Sequence, residues 1–509
     1  MKDFDSNKVC LFRIMAADRE ELEKLLFKRY PSREWGTFFR FGYRITSWGI
    51  HITFVDALEP KAGDLKRTSG IVEFAPGYIL RSQLALAATA LGIGVVHSHP
   101  MGCSTYPSSL DDDMDGYFAS EFALYGDRRP YVSLRVAKDE GGRFRFSGEV
   151  WLDSVRMAVT HIITVGTDLD RKAAEFDAAP KCTSSVPDKS ITRVRELLGE
   201  ENVARLKRST TGIVGCSGTG SPAAHVLARA GVGRFVLVDP ECFAPSNHER
   251  FHPSTWRDLE RKQLKVELVR RMILDINPAA EVTMIRGNVI HESVLDALLR
   301  CDLVLGCTDS QHGRAALSDY ATHYLLPCID SAVLMRAKLG KLTEQVGEFA
   351  RYMGDEPCAW CLGRINQNIL WYELMHDEER ERRKRAAAEA VQRGVDGEQY
   401  WGGEPPKELT VGYMTTTIGA MQAGYAEGWI TGACQMPHQR FQFDLAMPLL
   451  GVVPADKARN PECSCCRTKG WSDQARADRS VSRPAHWPEA IILQHGSHTN
   501  TPTLKHART

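Results

Sequence analysis

The sequence predicts an α/β chain of two folded halves joined by a linker, and three observations lead there. Residues 211–221 run from an apolar stretch through a glycine-rich turn into a helix, and residues 234–239 form a second strand ending in a carboxylate. Far upstream, residues 92–96 are an apolar run that ends in His97-Ser98-His99-Pro100. Between these, residues 165–189 carry Ala178-Ala179-Pro180 and Thr183-Ser184-Ser185-Val186-Pro187, a linker composition. The organisation read from this is residues 1–164, the linker, residues 190–470, and a tail at 471–509 whose Arg, His, Thr and Pro predict loose order. A length of 509 residues holds more than two domain-sized units, and 43% hydrophobic with 25% charged residues suits globular domains. Charges balance to zero, so there is no nucleic-acid footprint. The polar start and the short, glycine-broken apolar stretch at 84–96 predict a cytoplasmic protein without a secretory signal or a membrane span.

In the N-terminal half, His97 and His99 sit two residues apart at a strand end, a spacing that points both imidazoles to one face. An aspartate a short loop later closes a set of three N/O ligands, and three protein ligands with one open position is how a catalytic zinc is held. The segment His97-Ser98-His99-Pro100 followed by Ser108-Ser109-Leu110-Asp111 resembles the JAMM metalloprotease family, zinc isopeptidases that remove ubiquitin-like tags. The resemblance implies an α+β domain with zinc on His97, His99 and Asp111, and Ser108 helping to stabilise the oxyanion. The loop after His99 is one residue longer than usual, so Ser109 and Asp112 share the spacing; Pro107-Ser108 matches the common prokaryotic form and selects Ser108 and Asp111. The family's general-base glutamate lies near the end of an early helix, just before a strand. Glu34 fits that place, and Glu73, in a turn-like context, ranks below it.

In the C-terminal half, Gly215, Gly218 and Gly220 would let the backbone approach phosphates at a helix N-terminus, and Asp239 would bond ribose hydroxyls. On those facts alone a dinucleotide-binding dehydrogenase leads. The following residues argue against it: Asp239-Pro240-Glu241, Ser246-Asn247 and Arg250 resemble the D-x-D-x-V-x-x-S-N-x-x-R signature of the ubiquitin-activating superfamily, ThiF/MoeB type. The resemblance continues through Lys265, Ile276-Asn277-Pro278, the strand at 302–307, Asp309 and Arg314, and covers about residues 190–466. It implies a doubly wound, Rossmann-like adenylation domain, in which the C-terminal carboxylate of a ubiquitin-like protein attacks the α-phosphate of ATP. Ser217 replaces the third residue of the family's G-x-G-G-x-G loop, and Glu241 stands where the family has Asp. By the same resemblance Asp239 takes the ribose, Arg250 and Lys265 neutralise the triphosphate, Asn247 adds a hydrogen bond there, and Asp309 holds Mg²⁺. Arg193, with Arg195 in reserve, would reach the partner's triphosphate across a homodimer.

Cysteine usage adds a further site. Of 14 cysteines, Cys358-Ala359-Trp360-Cys361 and Cys463-Ser464-Cys465-Cys466 form two C-x-x-C units, the spacing of a closed structural zinc site, with Cys465 left over. Residues 367–411 contain no Cys, and Cys434 is a weak candidate for a thioester thiol. The expected function is therefore twofold: ATP-dependent adenylation of a ubiquitin-like C-terminus and zinc-dependent cleavage of the same modifier. The expected partners are the modifier, a conjugating enzyme and a second copy of the chain, with no nucleic acid or membrane. Alternatives are sulfur-carrier processing and adenylation for thiocarboxylate formation, and a non-catalytic scaffold that binds a ubiquitin-like protein.

Overall fold

The computed structural model describes residues 8–28, 33–67, 70–87, 89–123, 129–152, 155–174, 191–395, 409–446 and 451–493. The N-terminal half comprises β1 (Val9–Met15), α1 (Ala16–Leu26), β2 (Gly36–Thr46), β3 (Gly49–Leu58), β4 (Leu65–Arg67), β5 (Glu73–Phe74), α2 (Pro76–Ala87), β6 (Gly92–Ser98), α3 (Ser109–Ala123), β7 (Tyr131–Lys138), β8 (Phe144–Leu152), β9 (Val155–Ala158), β10 (His161–Val165) and β11 (Leu169–Ala173). All but β4 and β5 join one mixed sheet in the order β11-β10-β1-β3-β2-β6-β7-β8-β9. Strand alternation sorts its side chains by face. Phe12, Ile14, Phe39, Phe41, Ile52 and Phe54 pack with Leu26 of α1, while Phe38, Ile93 and Val95 pack with Tyr78 of α2 and Phe118 and Phe122 of α3.

The C-terminal half comprises α4 (Thr192–Arg208), β12 (Thr210–Val214), α5 (Gly220–Ala230), β13 (Arg234–Val238), α6 (Lys265–Ile276), β14 (Glu281–Arg286), α7 (Glu292–Leu298), β15 (Leu303–Gly306), α8 (Gln311–His323), β16 (Cys328–Lys338), β17 (Lys341–Tyr352), α9 (Gln367–Leu374), α10 (Asp377–Gln392), α11 (Gly412–Thr431), β18 (Arg440–Asp444), β19 (Val453–Pro454), α12 (Ser464–Arg467) and β20 (Ile491–Leu493). Its sheet runs β19-β18-β17-β16-β15-β12-β13-β14-β20, and the five strands from β16 to β14 are parallel. Ile213 and Leu237 face α5, α6 and α11, whereas Val214, Val236 and Val238 face α7 and α8. Helices therefore cover both faces, the doubly wound arrangement. The strand order reverses between β12 and β15, where such folds bind ligands at the carboxyl ends of the strands.

The two halves share a core. Met15, Ile163, Val165 and Leu169 of the first sheet join the cluster that contains Leu206, Ile213 and Leu237. The C-terminal half thus covers the part of the first sheet that α2 and α3 leave open. Arg13, fully buried on β1, donates to the carbonyls of Leu299, Cys301 and Leu325. Arg44 reaches Glu292 and Asp296 at 2.7 Å and Asp473 at 2.9 Å. Gly42 lies so close to the C-terminal half that a Cβ there would stand 2.2 Å from the Gly470 carbonyl oxygen.

Two boundaries differ from the sequence expectation. The segment at 165–174 is not linker, because β11 pairs antiparallel with β10; residues 175–190 lie outside the described residues. Nor are residues 471–493 a loose tail. Ser472 and Ala475 are fully buried, Arg479 bridges Glu292 and Asp473, and β20 closes the β14 edge. Composition misjudged this segment because its partners lie far away in sequence. No helix of the described residues is long and apolar enough to cross a membrane.

Candidate functional site

The structure brings His97, His99 and Asp111 together. His97 is the last but one residue of β6 and His99 follows the strand; the two Nε2 atoms stand 3.1 Å apart, and Asp111 Oδ1 is 3.2 Å from His97 Nε2. All three donor atoms lie within 4.8 Å of one another. Zinc bonds to nitrogen and oxygen of about 2.0–2.2 Å place tetrahedral ligands roughly 3.3 Å apart, so this donor set fits zinc. His99 Nδ1 donates to the Ser104 carbonyl at 2.7 Å, which leaves its Nε2 lone pair facing the site. Burial raises the Asp111 carboxyl, but bonds to His97 and Ser108 outweigh burial and hold it well below its ordinary value. Asp112 points elsewhere, to Arg156 at 2.7 Å.

Glu34 lies in the lead-in to β2, where the Trp35 carbonyl accepts from the Ser98 N–H, the Trp35 N–H donates to the Ser98 hydroxyl, and Gly36 pairs with His97. Burial pushes the Glu34 carboxyl up, with Asp111 adding to the rise and His97 opposing it. Pro31 and Ser32 lie outside the described residues. Glu73 is on β5, paired with Lys66. Ser108 caps the first turn of α3: its hydroxyl donates to Asp111 at 2.8 Å and accepts from the Asp111 N–H.

The second cluster gathers at the carboxyl ends of β12, β13 and β15. Gly215 has φ +92°, and a Cβ there would stand 2.5 Å from the Cys307 carbonyl oxygen, so only glycine lets the turn touch the loop leading to Asp309. Gly220 packs so close to the Gly215 carbonyl that no side chain fits, and Gly218 lies against Arg250 and Thr415. Asp239 is clamped by the N–H groups of Cys216 and Glu241, each at 2.8 Å. Burial raises its carboxyl, opposed by Lys265 and these two N–H donors. Lys265, at the start of α6, is buried and bonds Glu241. Arg250 bonds Glu249 at 2.9 Å and reaches toward the Thr410 carbonyl. Asn247 sits in a short 3₁₀ turn and accepts from the Ala244 N–H at 3.2 Å, and Asp309 is exposed beyond β15. Carboxylates and cations gathered around a glycine turn at the start of a helix suit a nucleotide phosphate chain.

Arg193 does not join this cluster in the chain itself. It lies near the start of α4, beside Ile191, which touches Gly231 at the far end of α5. The eleven residues of α5 separate it from the glycine turn by about 16 Å. Arg195 pairs with Glu200 at 2.6 Å. Cys434 is likewise remote: α11 starts over Gly218 and Glu249, and Cys434 lies beyond its other end, about 30 Å along a twenty-residue helix.

Cys358, Cys361, Cys463 and Cys466 form a third cluster, with sulfur separations of 3.6, 3.7 and 3.8 Å. Tetrahedral Zn–S bonds near 2.3 Å put sulfurs about 3.8 Å apart, whereas a disulfide would need about 2 Å. Cys465 is buried beside this cluster, against Cys358, Cys466 and Asp319, and is not one of the four convergent sulfurs. Sequence reasoning missed Gln422 of α11, which donates to the Gly306 and Ile329 carbonyls and holds the ends of β15 and β16 together. A buried glutamine inside an apolar helix was the available signal.

Comparison with known proteins bears on the C-terminal half. A family model described as the ThiF family matches residues 190–465. The sulfur carrier protein ThiS adenylyltransferase of Escherichia coli (strain K12) is 33% identical over 156 residues, 30% of this chain and 58% of that protein. The molybdopterin-synthase adenylyltransferase of Salmonella typhimurium is 30% identical over 171 residues, 33% of this chain and 65% of that protein. The crystal structure of E. coli MccB with MccA-N7isoASN aligns at 17% identity and TM-score 0.40, covering 52% of this chain and 69% of that one. The chain thus spans less than two thirds of the length of either of these two relatives.

Proposed function

The chain belongs to the ThiF family, and from that premise we propose a two-activity enzyme acting on a ubiquitin-like protein. The C-terminal half adenylates the modifier's C-terminal carboxylate with ATP, and the N-terminal half is a JAMM-type zinc peptidase that cleaves after the same C-terminus. The observation that carries the first activity is the clustering of Asp239, Lys265, Arg250 and Asp309 around a glycine turn at the switch point of the sheet. There Asp239 orients the ribose, Lys265 and Arg250 draw charge from the phosphates, Asn247 bonds one of them, and Asp309 holds Mg²⁺. Adenylation needs little covalent help; positioning and charge stabilisation suffice. The second activity rests on the convergence of His97, His99 and Asp111 beside Glu34. A zinc ion there would supply Lewis acidity to the scissile carbonyl and the attacking water. Glu34 takes the proton of that water and passes it to the leaving amine, and the Ser108 hydroxyl helps to stabilise the developing oxyanion.

The remoteness of Cys434 favours an adenylate as the end product, which also suits a sulfur-carrier substrate of the kind named for the ThiS adenylyltransferase relative. A second copy of the chain, bringing Arg193 to the triphosphate, and a conjugating enzyme that takes the activated modifier complete the reading. The test is ATP–pyrophosphate exchange with ubiquitin-like proteins ending in Gly-Gly, alongside cleavage of linear fusions of the same proteins. Exchange that depends on the modifier and is lost in Asp309→Ala supports adenylation. Exchange equal in wild type and Asp309→Ala overturns it, and fusions left intact by zinc-loaded protein overturn the peptidase.

A further inference from the structure

Beneath the three-ligand site lies a buried charge that neither proposed reaction uses. Arg135 is fully buried on β7, directly beside His97 in the strand register. Its NH1 donates to Asp115 Oδ2 at 3.1 Å, and Asp115, also fully buried, sits one turn after Asp111 on α3. Tyr131 donates to the other Asp115 oxygen at 3.0 Å. Arg135 Nε donates to Ser147 Oγ at 3.1 Å, and Ser147 in turn donates to the carbonyl of Thr105, a fully buried residue in the loop after His99. The neighbouring carbonyl, Ser104, is the one that fixes the His99 ring.

One guanidinium therefore ties down two elements of the site: the helix that carries Asp111, and the loop that orients His99. Burying such a cation in a small domain costs solvation that its partners must offset. Its placement is accounted for if the forked, planar head sets the geometry of something nearby. We propose that Arg135 is the positioning residue of the His97–His99–Asp111 metal site, acting through Asp115 on Asp111 and through Ser147 and Thr105 on His99. The inference rests on the zinc-peptidase reading of that site. Outer-sphere partners of metal ligands typically hold 10–100-fold of metal affinity.

The test titrates zinc alone into metal-free full-length protein against a chromophoric chelator, resolving the histidine-dependent site by difference from a His97→Ala/His99→Ala variant. Arg135→Met is expected to weaken that site roughly 10–100-fold while zinc at the four cysteines and ATP–pyrophosphate exchange stay unchanged. Arg135→Lys keeps the charge without the fork and should recover only part of the loss. Ser147→Ala cuts the loop anchor alone, so it should weaken zinc and change the visible spectrum of Co²⁺ bound at the histidine site. Should Arg135→Met fail to fold, Arg135→Lys and Ser147→Ala decide. Wild-type zinc affinity and an unchanged Co²⁺ spectrum in the folded variants overturn the inference. Absence of any histidine-dependent zinc in the wild type overturns the peptidase reading itself, and this inference with it.

Discussion

Glu34 is a partly buried carboxylate whose affinity for protons is raised by burial and by Asp111, a condition suited to a group that takes a proton and gives it back. It makes none of the contacts that gather the three ligands. Glu34→Ala should accordingly keep the histidine-dependent zinc and lose cleavage by 10²-fold or more, a typical worth for general acid–base help. Cleavage of a ubiquitin-like fusion at the wild-type rate by Glu34→Ala would mean that another group is the base. In the second cluster Asp239 shows how a site carboxylate is made ready. Two backbone N–H groups and Lys265 compensate its burial, so the side chain is held in one place.

Elements decide which residues can meet. The length of α5 keeps Arg193 from the glycine turn of its own chain, so a role for it requires a second copy. Asp309→Ala and Arg193→Ala should each lower exchange by roughly 10²-fold, the cost of removing a contact to developing phosphate charge. Mixing the two variants under conditions that exchange subunits should restore part of the activity, because one hybrid site keeps both residues. No restoration would rule out the trans role. The cysteine cluster depends on elements too: one pair follows β17, and the other sits at the N-cap and inside α12, 105 residues away in sequence. Metal analysis of the His97→Ala/His99→Ala variant should still find about one zinc per chain, as expected of a closed four-sulfur site. A metal-free variant would reduce the cluster to ordinary thiols.

At the scale of the molecule, the shared core makes the two halves one folding unit. Separating them would expose Met15, Ile163, Val165 and Leu169 together with the carbonyls that Arg13 satisfies. Each buried polar group left unpaired costs about 1–3 kcal/mol, so Arg13→Met should destabilise the whole chain by several kcal/mol, within a single unfolding transition. Two separate calorimetric transitions, with only one moved by Arg13→Met, would contradict this. His51, buried between Arg13 and Arg44 with neither ring nitrogen bonded among the described residues, adds a pH dependence. Burial first, then the two arginines, hold its pKa well below the ordinary value. The unfolded chain takes up a proton near pH 6.5 that the folded chain refuses, so stability falls as pH drops below about 6.5. Denaturant unfolding at pH 7.5 and 5.5 should show that fall, and His51→Phe should lessen it. An equal fall in both proteins would assign the dependence to other groups.

Local chemistry was enough to read much of this from the sequence. A strand, a glycine turn and a helix must follow one another in the chain, so the βαβ unit at 210–238 and its acidic end were legible, as were His97 and His99, two residues apart on one strand. The pairing of the C-x-x-C units and the ordered signature around Asp239 were equally visible. Contacts between distant segments were not. Composition cannot report that residues 471–493 pack onto α7 and β14, that Arg13 finds carbonyls nearly 300 residues away, or that Arg193 and Cys434 end up far from the turn. The sequence by itself determined the two halves and their donor groups, because spacing along a strand or helix fixes direction locally. Tertiary structure alone decided that the halves share one core, and that a buried arginine on β7 sits beneath the histidines, because such contacts depend on how sheets and helices stack rather than on their order in the chain.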